Sequence, residues 1–159
     1  MNVERLGLKE VRRLRNIRTR AVRNAPEAFE SSPEDIAALS EERWLNQLSK
    51  LPTFVAVEGG QDVGMIRGDM DREDQDRRWL ISMWVAPEAR GRGVGDALIE
   101  RLLQWAREDG AKSVLLEVGD HNAHAIALYA RHGFEFNGHR TTLAPPRQHV
   151  TEHQREKIL

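Results

Sequence analysis

Trp79-Leu80-Ile81-Ser82-Met83-Trp84-Val85-Ala86-Pro87-Glu88-Ala89-Arg90-Gly91-Arg92-Gly93-Val94-Gly95-Asp96 reads as a strand, a turn and the start of a helix. The first seven residues are almost unbroken apolar sequence, as expected of a strand buried on both faces. Pro87 stops it, because proline has no N–H to give a sheet ladder. Beyond the glycines, Val94, Leu98, Leu102 and Ala106 form one stripe of a helix, widened by Ile99 and Leu103. Gly110 sits where a left-handed cap would end that helix.

Strand, glycine-rich turn and helix together make a device for holding phosphate. The first N–H groups of a helix have no internal partner and lie at the positive end of its dipole. Glycine lets the backbone approach an anion, and Arg90 and Arg92 add positive charge. The spacing narrows the ligand. A dinucleotide fingerprint needs a third glycine where Asp96 stands. A nucleoside-triphosphate loop needs Lys and then Ser or Thr, where Asp96-Ala97 follow the last glycine. Both common phosphate binders fail on residue type, and a glycine-rich turn without a ligand stays open.

The 159 residues suffice for one domain with a real core and are too few for two ordinary ones. A formal net charge of -1 gives no global field for nucleic acid or an anionic membrane. With no cysteine, a disulfide scaffold, a thiolate zinc site and a cysteine nucleophile are excluded. No apolar run could cross a bilayer and residues 1–10 lack a signal-peptide core, so a cytoplasmic location is expected.

Leu8 to Asn24 has helical spacing, with Leu8, Val11, Leu14, Ile17 (or Arg18) and Ala21 on one stripe. Its six arginines (Arg12, Arg13, Arg15, Arg18, Arg20 and Arg23) read as a solvated face, with a binding patch as the alternative. Ser31-Ser32-Pro33-Glu34-Asp35 starts a second helical segment, interrupted near Ser40 and ending about Lys50. These helices either lid a pocket or merely cover the core. Thr53–Val57 and Asp62–Arg67 form a hairpin across Glu58-Gly59-Gly60-Gln61. The acidic stretch 69–76 reads as a solvated loop tip, or else as a rim attracting cations.

Ser113–Val118 is a second apolar strand, and its spacing from the first implies a right-handed parallel crossover. Glu117 interrupts it, and a carboxylate in a buried strand needs a reason. A helix from Ala123 to His132 follows, then a strand at Phe134–Phe136 and a turn or bulge at Asn137-Gly138. Val150 to Leu159 reads as a closing edge strand. His121-x-x-His124 and His149-x-x-x-His153 lack the residue types of a zinc site, so no metal is expected.

Arg90-x-x-Gly93-x-Gly95 after an apolar strand, then Asn122-x-x-Ala125-x-x-Leu128-Tyr129 and Gly133-Phe134, resembles the GNAT superfamily of acyl-CoA-dependent N-acetyltransferases. The resemblance is strong from about Phe54 to Phe136. It implies a single α/β domain over residues 1–159, with a mixed sheet splayed between the strands ending at Val85 and Val118. Acetyl-CoA would lie in the splay. Its pyrophosphate would meet the N–H groups of Arg90, Gly91, Arg92, Gly93, Val94, Gly95 and Asp96, and its pantetheine arm the free edge at Met83, Trp84 and Val85.

Asn122 and Tyr129, seven residues apart, share a helix face, and helical side chains lean toward the N-terminal end. By similarity, Asn122 would bond the cofactor arm and Tyr129 would protonate the departing thiolate. A tyrosine packed in the core is the alternative. The attacking amine must be neutral, and Glu117 is the candidate base, with an arginine-paired structural glutamate as the equal alternative. The expected function is acetyl transfer from acetyl-CoA to a primary amine by direct attack, in a monomer or homodimer. A catalytically silent acyl-CoA sensor or interaction domain is the rival reading, and the identity of the acceptor stays open.

Overall fold

The computed structural model describes residues 1–159. Its centre is the apolar run, now strand β4 (Arg77–Val85), flanked by the hairpin β2 (Thr53–Glu58) and β3 (Gln61–Met70). Helix α4 (Val94–Glu108) returns the chain to strand β5 (Ser113–Gly119), which runs parallel to β4. Strands β1 (Asn2–Arg5), β6 (Glu135–Thr142) and β7 (Thr151–Ile158) complete one seven-stranded sheet, in the order β1-β2-β3-β4-β5-β7-β6.

Two placements differ from the sequence reading. A strand, β1, precedes the first helix and pairs antiparallel with β2. The tail is not an edge: β7 lies between β5 and β6, pairing with both, and β6 is the exposed edge. Asn137-Gly138 falls where the β6 register shifts, with Gly138 at positive φ, and forms a bulge.

Helices cover both faces. Helix α1 (Val11–Asn24), the single turn and a half of α2 (Pro33–Ala37) and α3 (Glu41–Lys50) lie on one side. Ser32 and Asp35 form a reciprocal capping box at α2, and Ser40 caps α3. Helix α4 packs on the other side against β2, β3 and β4. Its Trp105 ring occupies the space beside Gly68, where a Cβ would meet Trp105 Cζ3 at 2.3 Å, so only glycine permits this contact. Between these layers, Phe54, Met65, Ile66, Leu98, Leu102 and Leu116 are fully buried. Helix α5 (Ala123–Arg131) follows β5 and meets the start of α4. No helix is long and apolar enough to cross a membrane.

The decisive feature is how little β4 and β5 pair. Only Arg77, Arg78 and Trp79 meet β5, opposite Ser113, Val114 and Leu115. Beyond them the strands part, and the edge of residues 80–85 facing β5 has no strand partner. A bulge helps to bend β4 away. Against β3, Trp84 pairs with Met65 and Ile81 with Arg67, so two residues of β4, Ser82 and Met83, stand against Ile66. Ser82 adopts φ 56°, in the left-handed region that non-glycine residues avoid. The opening also explains why the apolar run is not sealed on both faces: Ile81, Ser82, Met83 and Val85 are each half-buried.

Candidate functional site

At the C-terminal end of β4 the chain turns through Arg90–Gly93 into α4. Gly93 is the N-cap at φ 83°, a backbone that L side chains resist, although a Cβ there would touch nothing. No side chain caps this helix. The N–H groups of Gly93, Val94, Gly95 and Asp96 donate to no protein acceptor. They form an uncompensated donor cluster at a positive helix end, suited to an anion.

The side chains around this turn are engaged elsewhere. Arg90 folds back, Nε donating to the Val85 carbonyl at 3.0 Å and Nη2 to Asn24 Oδ1 at 3.1 Å. Arg92 pairs with Glu58 at 2.7 Å. Asp96 pairs with His132 at 2.7 Å and Arg131 at 3.2 Å, and the His132 contact above all holds its carboxyl below the ordinary range. Both arginines are thus tied to protein acceptors, while the backbone N–H groups at the turn are free. Gly91 is exposed beside it.

On the free β4 edge, Met83 points toward α4 and α5, its Cε 3.3 Å from where a Gly95 Cβ would stand. Trp84 points the other way, buried, with Nε1 donating to Asn24 Oδ1 at 2.9 Å and Arg20 over its ring. Tyr129 is buried on α5, edge-on to Phe134 at 6.0 Å between ring centroids. Burial alone pushes its hydroxyl pKa above the ordinary value, so the phenol stays protonated at neutral pH. Asn122 caps α5: its Oδ1 accepts from the Ala125 N–H at 3.2 Å, leaving the side-chain NH2 without a protein partner.

On the α1–α3 side of the opening lies a cleft of about 730 Å³. Glu117 lines it, accessible rather than sealed in the strand as its apolar neighbours had implied. The splay uncovers that face of β5. No arginine pairs with it. Burial in the cleft and the nearby Glu30 carboxylate raise its pKa.

Sequence reasoning missed a second carboxylate. Glu152 of β7 pairs in register with Gly119, two residues beyond Glu117, and so shares its face of the sheet. It is 7% exposed, lines the same cleft and pairs with no cation. Burial first, then Glu117 and Glu30, push its pKa up to about 7. Glu152 lies in a polar tail, and its depth follows only from the insertion of β7 beside β5. Arg18 and Arg67 also line the cleft. Each had a weak signal in the sequence: Arg18 borders the apolar stripe of its helix, and Arg67 ends an apolar strand.

A mixed sheet opened along half of one strand pair, with an anion cradle at the end of that strand, defines an acyl-CoA-type transferase fold. The Acetyltransferase (GNAT) family model matches residues 13–134, and the chain belongs to that family. An uncharacterised N-acetyltransferase of Methanocaldococcus jannaschii is 34% identical over 97 residues, covering 58% of this chain and 43% of that protein. The chain spans less than half the length of such curated relatives. The ribosomal-protein-alanine N-acetyltransferase structure from Brucella melitensis superposes over all of both chains, with a TM-score of 0.81 and 26% identity. YncA of Salmonella typhimurium, solved with its cofactor acetyl-CoA, shares the fold at a TM-score of 0.82 and 19% identity, over 100% of this chain and 94% of that one.

Proposed function

We propose that this chain transfers an acetyl group from acetyl-CoA to a primary amine by direct attack. The observation that carries the proposal is the opening between β4 and β5, with free backbone donors at one end and unpaired carboxylates on one face. The parts fit the cosubstrate. The N–H groups of Gly93 to Asp96 suit a pyrophosphate, and the unpaired edge at Met83–Val85 suits the amides of a pantetheine arm. The bound cosubstrate supplies the activated thioester.

The chain's residues supply proton handling. An alkylammonium cannot attack, so the amine must lose a proton first. The Glu117–Glu152 pair accepts it; with a pKa about 7, Glu152 binds a proton far better than an ordinary carboxylate does. The amine nitrogen then forms the new N–C bond as the C–S bond breaks, and it releases its second proton to solvent to leave the neutral amide. Tyr129, held protonated by burial, gives its proton to the departing sulfur and regains one from solvent. Asn122, with its free NH2, orients the pantetheine arm.

The test is thiol release with acetyl-CoA and a panel of amines, alongside calorimetric titration of CoA. Amine-dependent thiol release supports the proposal. CoA binding with no release for any amine would support the sensor reading instead, and absence of CoA binding would refute both.

A further inference from the structure

Of the ionic side chains that line the cleft, Arg18, Arg67 and Glu152 are buried and, like Glu117, make no ion pair. Arg18 is 4% exposed, and its Nε and Nη1 are buried with no hydrogen-bond partner. The Phe29 ring lies against it, 5.2 Å from the guanidinium carbon to the centroid. Arg67 is 5% exposed and donates to Ser82 Oγ at 2.7 and 2.9 Å and to Gln47 Oε1 at 2.9 Å. Those acceptors are neutral, and they leave two of its five N–H donors unused. Neither arginine has a carboxylate within ion-pair distance, although Glu117 and Glu152 line the same cleft and likewise lack a cation.

Burying one unpaired charge is costly, and proteins ordinarily pair such groups or expose them. Here two buried arginines and the Glu117 and Glu152 carboxylates, with Glu30 near both, are held apart across a single opening. The guanidiniums project from α1 and β3, on one side of the splay. The carboxylates project from β5 and β7, on the other. A ligand with a negative end and a positive end neutralises both sets at once. A polyamine would leave the buried, unpartnered nitrogens of Arg18 without an acceptor.

We infer that the acceptor is an aminocarboxylate of amino-acid size, its carboxylate held by Arg18 and Arg67 and its amine directed to Glu117 and Glu152. This deepens the acetyl-transfer reading, on which its chemistry rests, but its binding half stands on the charge arrangement alone. A planar guanidinium with free donors matches a carboxylate in bidentate geometry. Phe29 closes one side of the anion subsite, and Ser82, at the β4 bulge, fixes the Arg67 plane.

The experiment compares matched pairs that differ only in the carboxylate: leucine with isoamylamine, phenylalanine with phenethylamine, histidine with histamine, ornithine with putrescine. Each is titrated calorimetrically into wild type and Arg18→Met, with CoA present, and each is assayed for thiol release. Arg18→Met breaks no protein hydrogen bond, and its thermal unfolding shows whether it folds. Wild type should prefer the carboxylate-bearing member of at least one pair by about 10- to 100-fold, as expected of a charge-assisted hydrogen bond. Arg18→Met should erase most of that preference. Aminocarboxylate binding that depends on Arg18, without thiol release, would uphold this inference while refuting acetyl transfer. Preference for the decarboxylated members, or a preference that survives in a folded Arg18→Met, would overturn it. If that variant fails to fold, the wild-type preference alone decides.

Discussion

Replacing Glu152 by glutamine should make the protein more stable and less active, in a way that depends on pH. The carboxyl is nearly buried beside two other glutamates, and its pKa is up from 4.5 to about 7. A group raised in the folded state contributes stability below its unfolded pKa and loses it as pH climbs through the folded value. For Glu152 that window is pH 4.5 to 7. At about 1.36 kcal/mol per tenfold change in proton affinity, the loss by pH 8 is ~3 kcal/mol at most. Glutamine keeps the shape of the protonated acid but cannot ionise. Glu152→Gln should therefore match wild type near pH 4.5 and exceed it near pH 8, by up to about 5–10 °C in Tm for a chain of this size. Over the same range kcat/KM should fall about 10²–10⁴-fold, because the proton acceptor is gone. Thermal unfolding and thiol release, each measured from pH 4.5 to 8.5, read both effects. A variant destabilised equally at every pH would mean that the carboxylate is satisfied in the fold, and the reasoning would fail.

Three other substitutions probe separate parts. Glu117→Gln removes a negative neighbour that raises the Glu152 pKa, so the acidic limb of the pH–rate profile should move to lower pH; an unmoved limb would uncouple the two carboxylates. Tyr129→Phe should lower kcat by about 10²–10⁴-fold with CoA affinity unchanged, and its Tm should hold because no protein partner loses a bond; wild-type turnover, where chemistry limits the rate, would remove the tyrosine from the mechanism. Gly93→Val meets no neighbouring atom but forces φ 83° on a β-branched residue, costing at least about 1–2 kcal/mol locally. The turn should rearrange and CoA affinity should drop in calorimetry, and unchanged affinity in a folded variant would dismiss the cradle.

The strand–turn–helix unit was legible because its signals are local. An apolar run, a proline stop and glycines at fixed offsets need no tertiary knowledge, and the hairpin at Glu58–Gln61, the helix start at Ser32 and the break near Ser40 are of the same kind. Strand β1 was not legible: four residues with one half-buried apolar side chain, Val3, carry no periodic signal. The place of β7 was hidden because strand order is a long-range property that its polar sequence does not encode. That error concealed Glu152. Arg18 vanished among the arginines of α1, since a solvated helix face accounts for most of them. It took the position of Phe29 and the open cleft to show that this one is buried. Glu117 was noticed as an anomaly in its strand, yet its accessibility depended on where β4 and β5 part, which no composition reveals.

The central claim is tested most directly by mass spectrometry of both protein and acceptor after a single turnover. The enzyme in excess is mixed with acetyl-CoA and then with a mixture of amino acids and simple amines. The account predicts the mass of one acetyl group on the nitrogen of an acceptor, free CoA in equal amount, and an unmodified protein at every time point. Acetyl appearing first on the protein would contradict direct attack, and CoA bound intact with no acetylated amine would contradict catalysis.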